Sequence, residues 1–270
     1  MQKVVIAALA TVTSLASGFT HSPGNSFLAS PTHLFSSTTT DSNVDLGNAV
    51  QNLKKVLTKE YISFFSPMET DYYAPDVTFV DPMMSIVGVD EYQNNVDRLA
   101  GRTLLGSILF SDEGISLHSV SGGEIKDGNQ ISDIITRWTL RVTFKALPWK
   151  PTARFSGISV YKLEANLSNK SRPAVQIAGQ TDYWDSININ PNAKDGQYQS
   201  VPNSVAIQDF INQVKPGSFE AKQSGPELPY ELLRRGDGYE VRRYPKYASV
   251  SLPYRRRDEG FGSLGSFTRG

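Results

Sequence analysis

No cysteine occurs in the 270 residues, which excludes disulfides, thiolate metal sites and cysteine nucleophiles together. It leaves the redox compartment open, since a cysteine-free chain folds equally well in either. Histidine is nearly as scarce. The three residues His21, His33 and His118 show no metal-ligand spacing, and a Ser/His/Asp triad could draw only on His118, because the other two fall in the leader. No Gly-x-Ser-x-Gly elbow is found. Neither charge is in excess: 27 basic side chains face 27 acidic ones. Nucleic acid is therefore not expected as the main partner, since phosphate binding needs a basic surplus. A hydrophobic fraction of 39% with 10% aromatics is what remains, and it suits a chain that folds.

The first forty residues read as a leader. Lys3 is the only formally charged side chain before Asp41. The apolar run from Val4 to Leu15 is too short for a bilayer of ~30 Å at ~1.5 Å per residue, so no membrane span is expected in the mature chain. Ala16-Ser17-Gly18 then places small residues where signal peptidase needs them, and residues 1–18 read as a signal peptide. Residues 19–44, rich in Ser and Thr, read as a transit-like disordered segment. Ala16-Ser17-Gly18-Phe19 resembles the Ala-Ser-Ala-Phe junction of the bipartite plastid presequences of algae with secondary plastids. That resemblance implies a plastid (chloroplast) destination, with secretion as the alternative. The sequons Asn166-Leu167-Ser168 and Asn169-Lys170-Ser171 bear only on secretion.

Residues 45–192 carry the pattern of one α+β domain. Leu46, Ala49, Val50, Leu53, Val56 and Leu57 recur at helical steps, predicting an amphipathic helix from Asp45. Asp76 to Val80 reads as a short extended piece. A second helix is predicted from about Asp90, after Gly88, to Leu99. Strands follow: Ile108 to Val120, then Arg137 to Lys145, Phe155 to Leu163, and Val175 to Ile187. In the second of these, Trp138, Leu140, Val142 and Phe144 alternate with Arg137, Thr139, Arg141, Thr143 and Lys145, predicting a half-buried antiparallel strand. Helices first and strands after indicate helices packed on a curved antiparallel sheet.

Tyr73, Asp76, Val77, Phe79, Asp81-Pro82, Gly88, Tyr92, Arg137-Trp138, Pro148-Trp149, Phe155-Ser156-Gly157 and Tyr161-Lys162-Leu163 together resemble a plant and algal domain of unknown function. It sits within the SnoaL-like, nuclear-transport-factor-2-like superfamily of cone folds. The resemblance implies that fold and no established activity. Cones of this kind often move protons with an Asp or His inside the mouth, which makes Asp81, His118, Tyr161, Asp182 and Asp185 nominal candidates. For Asp81, before Pro82, the plainer reading is a turn and helix entry; for His118 it is a surface or satisfied core position. Trp138, Tyr161, Tyr183 and Trp184 are candidate pocket residues, against the plainer reading of sheet-face core. Binding of a small apolar ligand is thus favoured over isomerase-like chemistry at Asp81 or His118.

Beyond Asn192 the chain reads as a linker, residues 193–226, with a short helix within Val201 to Val214. Residues 227–270 then run through Leu228-Pro229-Tyr230-Glu231-Leu232-Leu233 and Gly236-Asp237-Gly238-Tyr239-Glu240-Val241-Arg242-Arg243-Tyr244-Pro245. This predicts a hairpin followed by a helix start near Gly260. The order closely resembles the opening of a SOUL haem-binding domain. That resemblance implies a haem or other tetrapyrrole ligand, with Phe261, Leu264 and Phe267 turned toward it. About forty residues bury no independent core, so two readings arise. Either the module is truncated and binds its tetrapyrrole only in a longer form, or the hairpin docks on the cone. The first is preferred, giving a non-enzymatic plastid tetrapyrrole carrier as the leading expectation. Arg255-Arg256-Arg257 reads as a solvated turn offset by Asp258 and Glu259. Gly260 to Gly265 matches a dinucleotide glycine pattern, but the five residues after it leave no room for the helix and second strand that such a site requires.

Overall fold

A computed structural model describes residues 45–126, 130–167, 169, 171–189, 197–216, 230–236, 239–248, 251 and 253–269. The expected signal and transit segments, residues 1–44, lie outside the described residues.

Helix α1 spans Leu46–Ile62 and is capped by Asp45, whose carboxylate accepts the Asn48 N–H at 3.0 Å. Leu46, Val50, Leu53, Leu57 and Tyr61 form its buried stripe, and each such side chain contributes roughly 1.5–3 kcal/mol by leaving water. A short 3₁₀ turn at Thr70–Tyr72 leads into β1, Tyr73–Val80, and β2, Ser85–Val87. Helix α2, Val89–Leu99, starts from Gly88, which takes φ 100°. The predicted first strand begins two residues late. Leu104–Leu109 forms a helical turn, α3, because the Thr103 side chain caps it by accepting the Gly106 N–H. Strand β3 then runs Phe110–Gly122. The two short strands β4, Ile125–Lys126, and β5, Gln130–Ile131, pair with each other.

Three long strands complete the sheet: β6, Ile134–Phe144; β7, Thr152–Ala165; and β8, Val175–Trp184. The sheet order is β2-β1-β8-β7-β6-β3, antiparallel throughout except where β1 lies parallel to β8. Gly157 is required where β7 meets β8, since a Cβ there would stand 1.9 Å from the Tyr183 carbonyl oxygen. The α+β class is therefore observed, with helices packed on a curved, mainly antiparallel sheet. Val175 to Ile187 is not one strand: Asp185–Asn188 turns into the short helix α4. Helix α5, Asn203–Val214, closes one end of the core, with Phe210 meeting Phe144 at 5.3 Å and Phe155 at 6.5 Å between ring centroids.

The C-terminal hairpin consists of β9, Glu231–Gly236, and β10, Tyr239–Arg243; helix α6, Arg257–Arg269, follows. The hairpin lies against the convex face of the sheet. The Leu232 N–H donates to Ser156 Oγ at 2.7 Å, and Leu232 and Tyr230 are buried. This corrects the expectation of a half-buried β6. Thr139, on the face predicted to be solvated, is buried as well, because its Oγ1 bonds Ser156 Oγ at 2.7 Å beneath the hairpin.

Candidate functional site

The pleat of the sheet sorts side chains by parity. Thr136, Trp138 and Leu140 of β6, Ser159 and Tyr161 of β7, and Gln180 and Asp182 of β8 all point to the concave side, beneath α1 and α2. Of these, Trp138, Leu140, Ser159, Gln180 and Asp182 line a cavity of about 80 Å³, whose wall also includes Phe65, Phe79, Tyr92 and Ile115. At ~10–15 Å³ per water-sized body, it holds a guest of roughly six non-hydrogen atoms. Phe79 and Tyr92 stack at 4.9 Å along one wall. Phe64 and Phe65 close another, at φ 52° and 57°, a left-handed conformation costing about 1–2 kcal/mol per residue. Arg102 holds this turn. Both terminal nitrogens donate to the Phe64 carbonyl at 3.1 Å, and Nε donates to Asp97 at 2.6 Å.

The polar end of the cavity is one connected network. The Trp138 indole N–H donates to Ser159 Oγ at 2.8 Å, and the Gln180 amide donates to the same oxygen at 3.3 Å. Those two donors use the acceptor capacity of Ser159, so its own proton is directed to Asp182 or Tyr61. The Tyr92 hydroxyl donates to Gln180 Oε1 at 2.5 Å, fixing the amide so that Nε2 also reaches Asp182 Oδ1 at 2.8 Å. Tyr61 OH sits 2.8 Å from both Thr136 Oγ1 and Tyr161 OH. Burial pushes Asp182 up to about 7, against the hydrogen bonds from Ser159 and Gln180, and the nearby Asp81 carboxyl pushes the same way. Among the described residues no basic side chain pairs with Asp182. A carboxyl so placed can orient one polar group of a guest, or take and release a proton near neutrality.

The other expected residues fall elsewhere. Asp81 accepts the Met83 and Met84 N–H groups at 2.7 Å each and so builds the β1–β2 turn; burial nonetheless raises it to about 6. Tyr161 lies behind Tyr61, fully buried. Trp184 shares the parity of Asp182 but packs into the core, 4.4 Å from Phe155. Tyr183, of opposite parity, faces the convex side, with its ring 5.6 Å from Tyr198. His118 is also on that side: Nε2 meets Thr139 Oγ1 at 2.9 Å, Nδ1 lies 3.8 Å from Glu231, and burial lowers its pKa. Asp185 pairs there with Arg137 at 2.6 Å. Phe261, Leu264 and Phe267 belong to α6, but their side chains lie outside the described residues. Among the described residues no group of three or more His, Asp or Glu side chains is placed to hold a metal. No described helix is long and apolar enough to cross a membrane.

Tyr61, Gln180 and Ser159 belong to the site without having been expected from the sequence. A signal for two of the site's residues is present in β8, where Gln180 and Asp182 share the parity that buries Trp184, while a bulge between Ile177 and Gly179 brings Val175 and Ile177 onto the same face. Alternation counted back from Trp184 finds both, whereas alternation counted from Val175 and Ile177 places them on the opposite face.

An α+β cone enclosing an aromatic-walled cavity, polar at Asp182, is the class that the fold and site define. Residues 51–168 match the family described as "Uncharacterized conserved protein (DUF2358)". Among solved structures, a protein of Xanthomonas campestris pv. campestris provisionally named a polyketide cyclase is 12% identical, with a TM-score of 0.38 over 63% of this chain and 100% of its own. Nuclear transport factor 2 of Cryptosporidium parvum is 10% identical, TM-score 0.35, over 54% and 99%. An NTF2-like protein of Anabaena variabilis is 11% identical, TM-score 0.33, over 55% and 95%. At such values the architecture rests on the topology above. No curated protein matches the chain.

Proposed function

We propose that the cone binds a small, mainly apolar molecule whose one polar group is set against Asp182. The observation that carries this reading is the cavity itself: an aromatic and aliphatic wall that ends at a buried carboxyl tethered by Gln180 and Ser159. Its small volume restricts the guest to a compact body.

The tetrapyrrole reading of residues 227–270 rests on sequence resemblance alone. A cavity of about 80 Å³ is too small for a porphyrin, and the side chains expected to hold one lie outside the described residues. The plastid address has the same standing. Titration with isopentanol, followed by NMR through the Trp138 indole N–H, tests the cone reading. Saturable shifts at Trp138 are expected, and Ile115→Trp, which fills the wall, abolishes them while circular dichroism stays unchanged. Shifts that persist in Ile115→Trp would place the guest outside the cavity. A Soret shift on adding haemin, unaffected by Ile115→Trp, would return the assignment to the C-terminal stretch.

A further inference from the structure

The cavity contains a carboxyl and no counter-charge. Asp182 lines it, Asp81 stands close enough to oppose its ionisation, and among the described residues no lysine or arginine pairs with either. Elsewhere one buried carboxylate is paired with a cation, whereas Glu60 meets only the Glu69 N–H and the Tyr73 hydroxyl. Asp185, with no side-chain exposure, is met by Arg137 in a two-pronged contact of 2.6 and 3.3 Å. What sets Asp182 apart is that its uncompensated carboxyl lines a cavity, which Glu60 and Asp81 do not. The surrounding wall is aromatic: Phe65, Phe79, Tyr92 and Trp138 all line the same space. Ring faces attract cations and repel anions, and a buried carboxylate is satisfied only by an opposite charge or a full set of donors.

We infer that the cavity is a receptor for a small apolar amine, its ammonium set against Asp182 and its hydrocarbon body among Phe79, Tyr92 and Trp138. This inference rests on the cone-binding reading and narrows it to a charge class. A neutral guest leaves two coupled carboxyls to share their protons, whereas an ammonium lets Asp182 ionise. Binding therefore releases a proton when the pH lies below neutrality. The titratable groups that face Asp182 are Asp81 from the β1–β2 turn, Tyr61 from α1, Tyr92 from α2 and Tyr161 from β7. Burial raises all four, so the tyrosines stay neutral and only Asp81 competes for the proton.

The test compares isopentylamine with isopentanol by calorimetry, at pH 8.5 and pH 5.5, in buffers of different ionisation enthalpy. At pH 8.5 the amine is expected to bind at least 30-fold more tightly than the alcohol. At pH 5.5 that preference should fall below about 3-fold, with proton release visible in the buffer dependence. Asp182→Asn should bring the amine-to-alcohol affinity ratio below about 3-fold at both pH values and abolish the proton release. Equal affinities for amine and alcohol in the unaltered protein overturn the inference while the cone reading stands. Binding of neither overturns both. Should Asp182→Asn fail to fold, the pH series on the unaltered protein decides alone.

Discussion

Glu60 ends the buried stripe of α1, with no solvent exposure, and its carboxyl accepts the Glu69 N–H at 2.6 Å and the Tyr73 hydroxyl at 2.8 Å. Burial outweighs both hydrogen bonds and pushes it up from 4.5 to about 7. Its folded-state pKa thus lies above its unfolded value. Between those values the folded chain keeps a proton that the unfolded chain has lost, so this group's contribution to stability falls as pH rises and levels off above about 7. At ~1.4 kcal/mol per pH unit, the window corresponds to about 3 kcal/mol. Glu60→Gln removes the titration and keeps the geometry: its carbonyl oxygen accepts the Glu69 N–H, and its amide donates to Tyr73, whose hydroxyl rotates to accept. Urea unfolding of both proteins from pH 4.5 to 8.5 measures the difference. Subtracting one curve from the other cancels Asp81, Asp182 and Asp185, which burial also raises. Glu60→Gln is expected to gain about 3 kcal/mol on the unaltered protein across that range. A difference constant to within about 0.5 kcal/mol would show that Glu60 ionises as readily folded as unfolded, and the argument from burial would fail.

Two further outcomes concern the convex face. Arg137→Met leaves the Asp185 carboxylate buried and unpaired beside Tyr198 and Glu231, and the expected loss is about 3–5 kcal/mol. Adding Asp185→Leu should restore a substantial part, and strict additivity of the two losses in denaturant unfolding would count against a direct coupling. Ser156→Ala strips the Leu232 N–H of its acceptor, at about 1–3 kcal/mol for an orphaned buried donor. Proteolytic cleavage near the hairpin should quicken while the cone resists; unchanged cleavage would mean that this bond does not hold the hairpin down.

The elements that follow from period alone could be read from the sequence. Leu46, Val50, Leu53 and Leu57 give α1, and the alternation around Trp138 gives β6 with its concave face. The departures share one cause, which is contact between residues distant in sequence. Alternation counts Thr139 as solvated because Ser156 and Leu232, which cover it, are remote from it along the chain. Nor does any local pattern show that β1 runs parallel to β8, although that pairing brings Thr78, Phe79 and Val80 beside Gly179, Gln180 and Thr181. Tyr183 and Trp184 are both aromatic residues at the end of one strand, and only the pleat and the packing of Phe155 separate them from the cavity.

The buried carboxyls extend the same logic to the site. Glu60 stands three residues after Leu57 on the apolar stripe, and Asp182 stands on the inward parity of β8 between Gln180 and Trp184. A charge in a core position is visible as an interruption of the period, and the interruption by itself signals an unusual burial. What it means depends on the neighbour. Asp185 meets Arg137 and becomes a tether for the fold. Asp182 meets Gln180, Ser159 and the field of Asp81, and is left with an unmatched charge facing a cavity. Period assigns each residue to a face, but register assigns its partners. Because a carboxyl's proton affinity is set by its partners, the chemistry of this cone becomes readable only where the strands are in register.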